Sequence, residues 1–539
     1  MRLKLFVFIL LLLITDYNLF STEENIDIDF AYYRKVHKLD NGTIHLFIKN
    51  MGNKDVVIKE VFLNDEFLNL EKLPNDEVLW FQIIPPSLKP NKIADIMIKL
   101  ARPAHRLMKV EVKTKRNTIL KRVIRPVTSD IQITNISFAQ DFKRVYIYLQ
   151  NNSEKDLKLN KLFLDTQDIT LKLEYREYII KSGKKQLYVV NLDKPLKKGE
   201  YISIKAIFDE DNIIESVVRV FSIFPISSWD GDTRQSLNFD PYPFRFTVYK
   251  GRYTEIPKDN PTPIVHLMDH PNCKDGKAGD ILGTHAKEVI KRQKKAIKRY
   301  PEWPTLIYGC EYDKPRAYFV YGELTDAFLV NPYQVIFHNE TPERNRYFAS
   351  LGKLACQPRP LFSTPAAFCR KSYDGNCRFL TPLELRKTVF YELGEGSKGI
   401  IYFNKEFSEG RGYSENRDLE DEIGRINWVL QQLKSYLMIG EPMELAHSED
   451  KRLDSYPILA ADKAIVLFLI NQGGREVQGS TVEIDIPFDL KVKNVYQIRQ
   501  SEQQIEPYYY KELSEGNRIR LKTNGTGSVE IFLLTFYGE

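Results

Sequence analysis

The sequence predicts a multidomain chain: two all-β sandwiches, then an α/β barrel of the TIM (β/α) type, then a small all-β sandwich. Three observations carry this. A strand and Asn-rich turn recur at an offset of 101 residues. In the middle of the chain, short apolar strands alternate with helical patterns. From about Ala446 the texture returns to β. The 539 residues hold three or four domains at roughly 150 residues each. Hydrophobic residues are 43% and charged residues 28%, a balance that excludes wholesale disorder. Lys+Arg 78 against Asp+Glu 72 leaves only +6, too slight an excess for a dedicated nucleic-acid binder. Five cysteines are too few for a disulfide-dense scaffold.

The chain opens Met1-Arg2-Leu3-Lys4, runs apolar from Leu5 to Ile14, and turns polar at Asp16 and Asn18. A basic end, an apolar core of about ten residues and a polar exit read as a secretory signal peptide over 1–22. A membrane anchor would need about 20 apolar residues. No later segment approaches that length, so no membrane span is expected after cleavage. The mature protein is expected to be secreted, periplasmic or at the cell surface.

The repeat pairs Ile48–Val56 with Leu149–Leu157, and Val61–Asn64 with Leu162–Asp165. Alternation is clear at Val145, Ile147 and Leu149, the mark of half-buried strands. No long amphipathic helix is expected before residue 280. Units of about 100 residues with short alternating strands are read as tandem immunoglobulin-like sandwiches over 23–127 and 128–226. Sandwiches carry no chemistry of themselves, and bracing a catalytic domain is their simplest role.

Residues 227–445 alternate strands and helices. Pro263–Met268, Pro304–Tyr308, Ala327–Val330, Arg359–Phe362 and Gly399–Phe403 read as strands. Thr284–Tyr300, Glu343–Ala355, Pro382–Leu393 and Asp418–Met438 read as helices. The basic residues from Lys287 to Arg299 are the solvated face of the first helix. Leu419, Ile423, Ile426, Leu430, Leu433 and Leu437 make one apolar stripe on the last. A repeating β-α order implies parallel strands and a (β/α) barrel. A doubly wound open sheet is the runner-up. No Gly-rich phosphate loop follows any strand, and no cofactor is expected. In the tail, 446–539, Ala464–Ile470, Thr481–Ile486 and Val529–Leu534 are strands of a third sandwich.

In α/β barrels the chemistry lies at the carboxyl ends of the strands. The residues just past them are Asp269 and His270, Glu311 and Asp313, Asn331 and Tyr333, Ser363, and Asn404 and Glu406. Glycoside hydrolysis needs two carboxylates, about 5.5 Å apart for retention or roughly 6.5–9.5 Å for inversion. Glu311 or Asp313 with Asp269 could supply them as the catalytic residues. Asn331, Tyr333, Asn404, His270 and Trp229 are the candidate substrate-binding residues. Any one of these carboxylates could equally be a loop cap or salt-bridge partner. Glu323, Asp326, Glu392 and Glu395 fall on the wrong side of a barrel. His266 and His270 have an H-x3-H spacing, but on a strand end they need not converge, and no metal is expected. Cys369 with Cys377, and Cys273 with Cys310, are candidate disulfides. Cys356 is left over as a buried thiol.

The run Pro360-Leu361-Phe362-Ser363-Thr364-Pro365-Ala366-Ala367-Phe368, then Leu380-Thr381-Pro382-Leu383-Glu384-Leu385-Arg386, then Gly396-Ser397-Lys398-Gly399-Ile400-Ile401-Tyr402-Phe403, resembles the last two β/α units of glycoside-hydrolase-like barrels. The resemblance covers roughly 260–535 and includes the long helix and the β-sandwich tail. It implies an exported carbohydrate-active protein, a glycoside hydrolase acting on a polysaccharide or oligosaccharide through paired carboxylates. The sequence departs from the family where a strand-end Gln is replaced at Ala366 or Ala367. It also lacks a clear Asn-Glu pair after a middle strand. These departures define the alternative, a non-catalytic glycan-binding or surface scaffold protein on a decayed barrel.

Overall fold

A computed structural model describes residues 24–174, 178–208, 212–229, 235–240, 264–271, 275, 282–310, 315–371, 377–404, 412–488, 490–513 and 517–537. Residues 1–22, where a signal peptide is expected, lie outside them. Two antiparallel sheets make up the first sandwich. One pairs Ile26–Arg34, Thr43–Asn50, Ile93–Leu100 and Val78–Ile84; the other pairs Glu66–Phe67, Ile58–Leu63, Met108–Thr114 and Ile119–Ile124. The second sandwich repeats this order, and among the described residues only an isolated bridge, Leu173 to Val190, stands in place of Val78–Ile84. Lys185–Asn191, Arg144–Asn151 and Ile131–Phe138 face Gln167–Asp168, Lys161–Leu164, Tyr201–Ile207 and Ile213–Arg219.

The recurring asparagine explains the repeat. Asn50 Nδ2 donates to the carbonyls of Lys54 (2.9 Å) and Leu88 (3.0 Å), and its Oδ1 accepts from the Gly52 amide (2.9 Å). Asn151 does the same with Lys155 (2.7 Å), Ile180 (3.1 Å) and Ser153 (2.9 Å). A short amide side chain at a strand end closes the turn and ties it across to a neighbouring segment. The third sandwich uses the same device. Asn471 donates to Arg475 (2.8 Å) and Thr526 (2.7 Å) and accepts from Gly473 (2.9 Å).

Six parallel strands follow: β1 (Ile226–Ser228), β2 (Val265–Asp269), β3 (Thr305–Cys310), β4 (Ala327–Asn331), β5 (Leu361–Ser363) and β6 (Ser397–Tyr402). Their order is β1-β6-β5-β4-β3-β2. Each strand from β2 to β6 sits beside the next in the chain, and β6 pairs with β1. This is the cyclic order of a barrel, left open among the described residues between β1 and β2. A doubly wound sheet would reverse direction partway.

The helices are α1 (Ala286–Arg299), α2 (Tyr318–Tyr321), α3 (Gln334–His338), α4 (Pro342–Cys356), α5 (Pro382–Gly394) and α6 (Arg417–Ile439). Thr381 caps α5 in a reciprocal box with Glu384, with Pro382 in its first turn, which accounts physically for the Thr-Pro-x-Glu run. Asn416 caps α6, whose six stripe residues are all buried. On α1, Ala286, Val289, Ile290 and Ala296 are buried while Lys291, Lys294, Lys295, Lys298 and Arg299 are exposed. The two faces of the middle strands sort cleanly. Ile307, Phe328, Val330 and Leu361 pack with α1, α2, α4 and the first sandwich. Leu306, Tyr308, Ala327, Leu329 and Phe362 pack on the opposite face with Trp229 and Phe403.

The C-terminal sandwich opposes a six-stranded sheet, from Glu441–Pro442 through Gln504–Pro507, to a four-stranded one containing Val477–Asp485 and Arg518–Thr526. Tyr148, fully buried, joins three parts of the molecule. Its hydroxyl lies 3.0 Å from the Ile439 carbonyl and 2.8 Å from that of Leu459, and accepts from the Ala461 amide at 3.1 Å. Cys356 is a free, buried thiol, and Cys369 is disulfide-bonded. Burial pushes the Cys356 thiol up to about 12, which keeps it protonated and unreactive.

Candidate functional site

The carboxyl ends of β1 to β4 and β6 bring an aromatic cluster together around Tyr308. This residue is on β3, alternating with Leu306 on the concave face. The Trp229 ring, just past β1, lies 4.8 Å from that of Tyr308, 5.4 Å from His266 and 5.6 Å from Phe403. The His270 ring is 4.2 Å from Tyr308. The Tyr308 and Tyr333 hydroxyls share a hydrogen bond at 2.7 Å. Phe368 and Phe403 close the Tyr333 side at 5.4 and 5.8 Å. Of the candidate binding residues, Trp229, His270 and Tyr333 therefore converge.

Asn331 ends β4 on the same face as Leu329, by alternation, and the amide of Tyr333 donates to its backbone carbonyl. It is buried, and its Oδ1 has no hydrogen-bond partner among the described residues. Thr364 Oγ1, just past β5, is buried in the same condition. Buried polar atoms are normally satisfied, so these two would be partnered by water or by a ligand group. Ser363, on the alternate side of β5 from Phe362, also carries a buried hydroxyl with no partner among the described residues. Asn404 has a different use. Its Oδ1 accepts from the Tyr413 amide at 2.8 Å and braces the chain that leads into α6.

Asp269 ends β2 with its side chain 54% exposed, 3.4 Å from His270 Nδ1. Glu311 and Asp313, its candidate partners, lie outside the described residues, as does Glu406. Burial pushes the His266 imidazole down to about 4, against the pull of Asp269. It is therefore neutral near pH 7, with one ring nitrogen donating and one accepting. Among the described residues no three His, Cys, Asp or Glu side chains lie together as a metal site would need.

The carboxylates on the far side of the sheet have structural employment. Glu323 precedes β4 and is held by Arg34 (2.6 Å) and Thr43 (2.6 Å) of the first sandwich. Asp326 accepts from Arg219 of the second sandwich (2.7 Å) and from the Thr305 amide (2.8 Å). Searching only past the strand ends misses Tyr308 and His266, which lie within their strands. The signal that would find them is alternation: each is a polar aromatic on the inward register of a parallel strand.

No family model matches the chain, and no curated protein matches it. Among solved structures, it is similar to a cycloisomaltooligosaccharide glucanotransferase of Paenibacillus sp., at 6% identity over 75% of this chain and 99% of that one, with a TM-score of 0.36. It is similar to an Anoxybacillus α-amylase at 13% identity over 52% of this chain and 59% of that one, TM-score 0.31. The archaellum periplasmic stator protein FlaG from Sulfolobus acidocaldarius matches 19% of this chain with 99% of its own, at 14% identity and a TM-score of 0.16.

Proposed function

We propose that the protein is an exported carbohydrate-active protein that works at the mouth of its parallel sheet. The observation that carries the reading is the convergence of Trp229, His266, His270, Tyr308 and Tyr333 at the strand ends, where Asn331 ends β4 with its Oδ1 unpartnered among the described residues. Aromatic rings pack against the C–H faces of a sugar, and a neutral imidazole, hydroxyls and an amide bond its hydroxyls without charge. For glycoside hydrolysis, Asp269 pairs with Glu311 or Asp313, one carboxyl donating the proton and the other acting as base or nucleophile.

The experiment is a glycan-hydrolysis screen of the exported chain, followed by Asp269→Asn, Glu311→Gln and Asp313→Asn. The expected outcome is loss of at least about 100-fold in kcat for two of the three, since removing a general acid or base costs on the order of 10²–10⁴. Undiminished turnover in all three would sink these assignments. The second reading, a glycan-binding protein without turnover, is favoured by one observation. The described mouth is lined by Phe368, Phe403 and Tyr333, and Asp269 faces solvent. It predicts glycan binding weakened by Trp229→Ala with no reducing sugar released by the unaltered protein.

A further inference from the structure

A cleft of about 1280 Å³ opens far from the mouth, where the second sandwich, the turn between α5 and β6, and the C-terminal sandwich meet. It is large for a small-molecule pocket, which typically runs about 300–1,000 Å³, and suits an extended ligand. We propose that this cleft is a second ligand site, built for a neutral polyhydroxylated chain such as an oligosaccharide. This inference does not rest on the mouth.

Three features of its lining argue for that ligand. The first is a pair of aromatic residues. Tyr456 is fixed edge-on to Tyr391, with ring centroids 5.9 Å apart, and Arg346 lies 5.8 Å from its centroid. Its ring packs so closely on Gly394 that a Cβ there would lie 2.5 Å from it, which only glycine permits. Phe488 is held in the left-handed region at φ 59°, costly for a bulky residue and kept only where the surroundings impose it.

The second feature is charge. The lining acids each have a cation: Glu444 with Lys184 (2.8 Å), Glu395 with Arg346 (3.4 Å), Asp485 with Arg518 (2.6 Å), and Glu174 with Arg144. Lys185 is bound to Glu441 at 3.2 Å. A self-neutralised wall offers a polyanion or a polycation no net field, and it favours a ligand that brings hydroxyls instead.

The third is Gln186. It lines the cleft, is 9% exposed, and its Nε2 has no hydrogen-bond partner among the described residues. A buried amide donor without a partner is costly, and rotation of the side chain into the cleft would let a ligand hydroxyl accept from it.

The test is calorimetric titration of the mature chain with maltohexaose, cellohexaose and xylohexaose, against a sulfated hexasaccharide of the heparin type. Binding of at least one neutral hexasaccharide is expected, tighter than the sulfated one. Gln186→Ala and Phe488→Ala should each weaken it at least ten-fold. His447→Trp, at an exposed position on the cleft rim, should do the same by bulk without lowering the melting temperature. In Trp229→Ala, which weakens the mouth, a neutral-hexasaccharide binding event should remain, and adding Phe488→Ala should remove it. Preference for the sulfated probe, no binding of any neutral one, or binding lost in Trp229→Ala but kept in the cleft variants would each overturn the proposal.

Discussion

Burial pushes the Glu215 carboxyl up to about 8, and the neighbouring Asp29 adds to this while Ser203 and Lys205 pull the other way. The side chain is fully buried in the second sandwich, with Ser203 Oγ donating to Oε1 at 2.6 Å and Oε2 without a partner among the described residues. In the folded chain Glu215 keeps a proton that the unfolded chain releases near its ordinary value of 4.5. Stability therefore falls as pH rises from about 4.5 to 8 and levels off above. Glu395, raised by burial to about 7, adds a slope of the same sign. Glu215→Gln keeps the shape and the bond to Ser203 but has nothing to ionise. The variant is expected to melt with a visibly shallower pH dependence and to gain on the order of a few kcal/mol over the parent at pH 8. Urea denaturation at pH 5 and pH 8 measures both, and parallel pH profiles for the two proteins would count against this account.

At the scale of the element, the three asparagine braces make a sharper case than strand propensity. Each closes one turn with at least three hydrogen bonds, two of them donated to backbone carbonyls, and Asn151 accepts a fourth from the Ser153 hydroxyl. Asn151→Ala leaves the carbonyls of Lys155 and Ile180 and the amide of Ser153 to find other partners. It is expected to cost about 1–3 kcal/mol in chemical denaturation, with Asn50→Ala and Asn471→Ala costing similar amounts. A change below about 0.5 kcal/mol at all three would show that the turns are held by something else. Two of these braces are legible in the sequence because the strands around them recur. The third follows the same pattern, since Asn471-Gln472-Gly473-Gly474-Arg475-Glu476-Val477 matches Asn50-Met51-Gly52-Asn53-Lys54-Asp55-Val56 in the asparagine, the glycine, the basic-acidic pair and the closing valine. Five of the six described barrel strands are legible from their apolar runs, and the candidate residues just past them from the rule that chemistry sits at strand ends. That rule points to His270 and Tyr333 but not to Trp229, because Ile226–Ser228 is too short and polar to read as a strand. It passes over Tyr308, whose place at the centre follows from inward register, while Asn404, which it also points to, accepts from the Tyr413 amide.

At the scale of the whole molecule, what holds the first sandwich to the parallel sheet could not be read from spacing, because its partners are far apart in the chain. Thr43 and Glu323 are separated by 280 positions. Glu323 sits just before β4, buried, with Arg34 at 2.6 Å, His45 Nε2 at 3.6 Å and Lys99 at 3.8 Å. Asp40 and Asp95 back the cations, 2.7 Å from Lys99 and 2.8 Å from His45. Burial alone would raise the Glu323 carboxyl, but Arg34, His45 and Lys99 overcome it and hold it well below the usual carboxylate range. Burial alone would lower His45, and Asp95 with Glu323 raise it instead to about 9. Glu323 and His45 are thus both ionised throughout the neutral range. The cluster weakens as pH falls through the low value of Glu323, or rises through about 9 as His45 loses its proton. Removing one member of such a cluster leaves buried charges uncompensated and costs about 3–5 kcal/mol. Glu323→Ala strips Arg34, His45 and Lys99 of their shared anion at the seam, while the core of each domain stays intact. The first sandwich should then release before the rest. Calorimetry at pH 7 is expected to show a new transition at lower temperature, and limited proteolysis should cut near residues 125–130, between the two sandwiches. A single transition at the parent temperature, with the parent's resistance to protease, would mean that the apolar contacts of Trp80 and Met97 with α1 and α2 hold the seam by themselves.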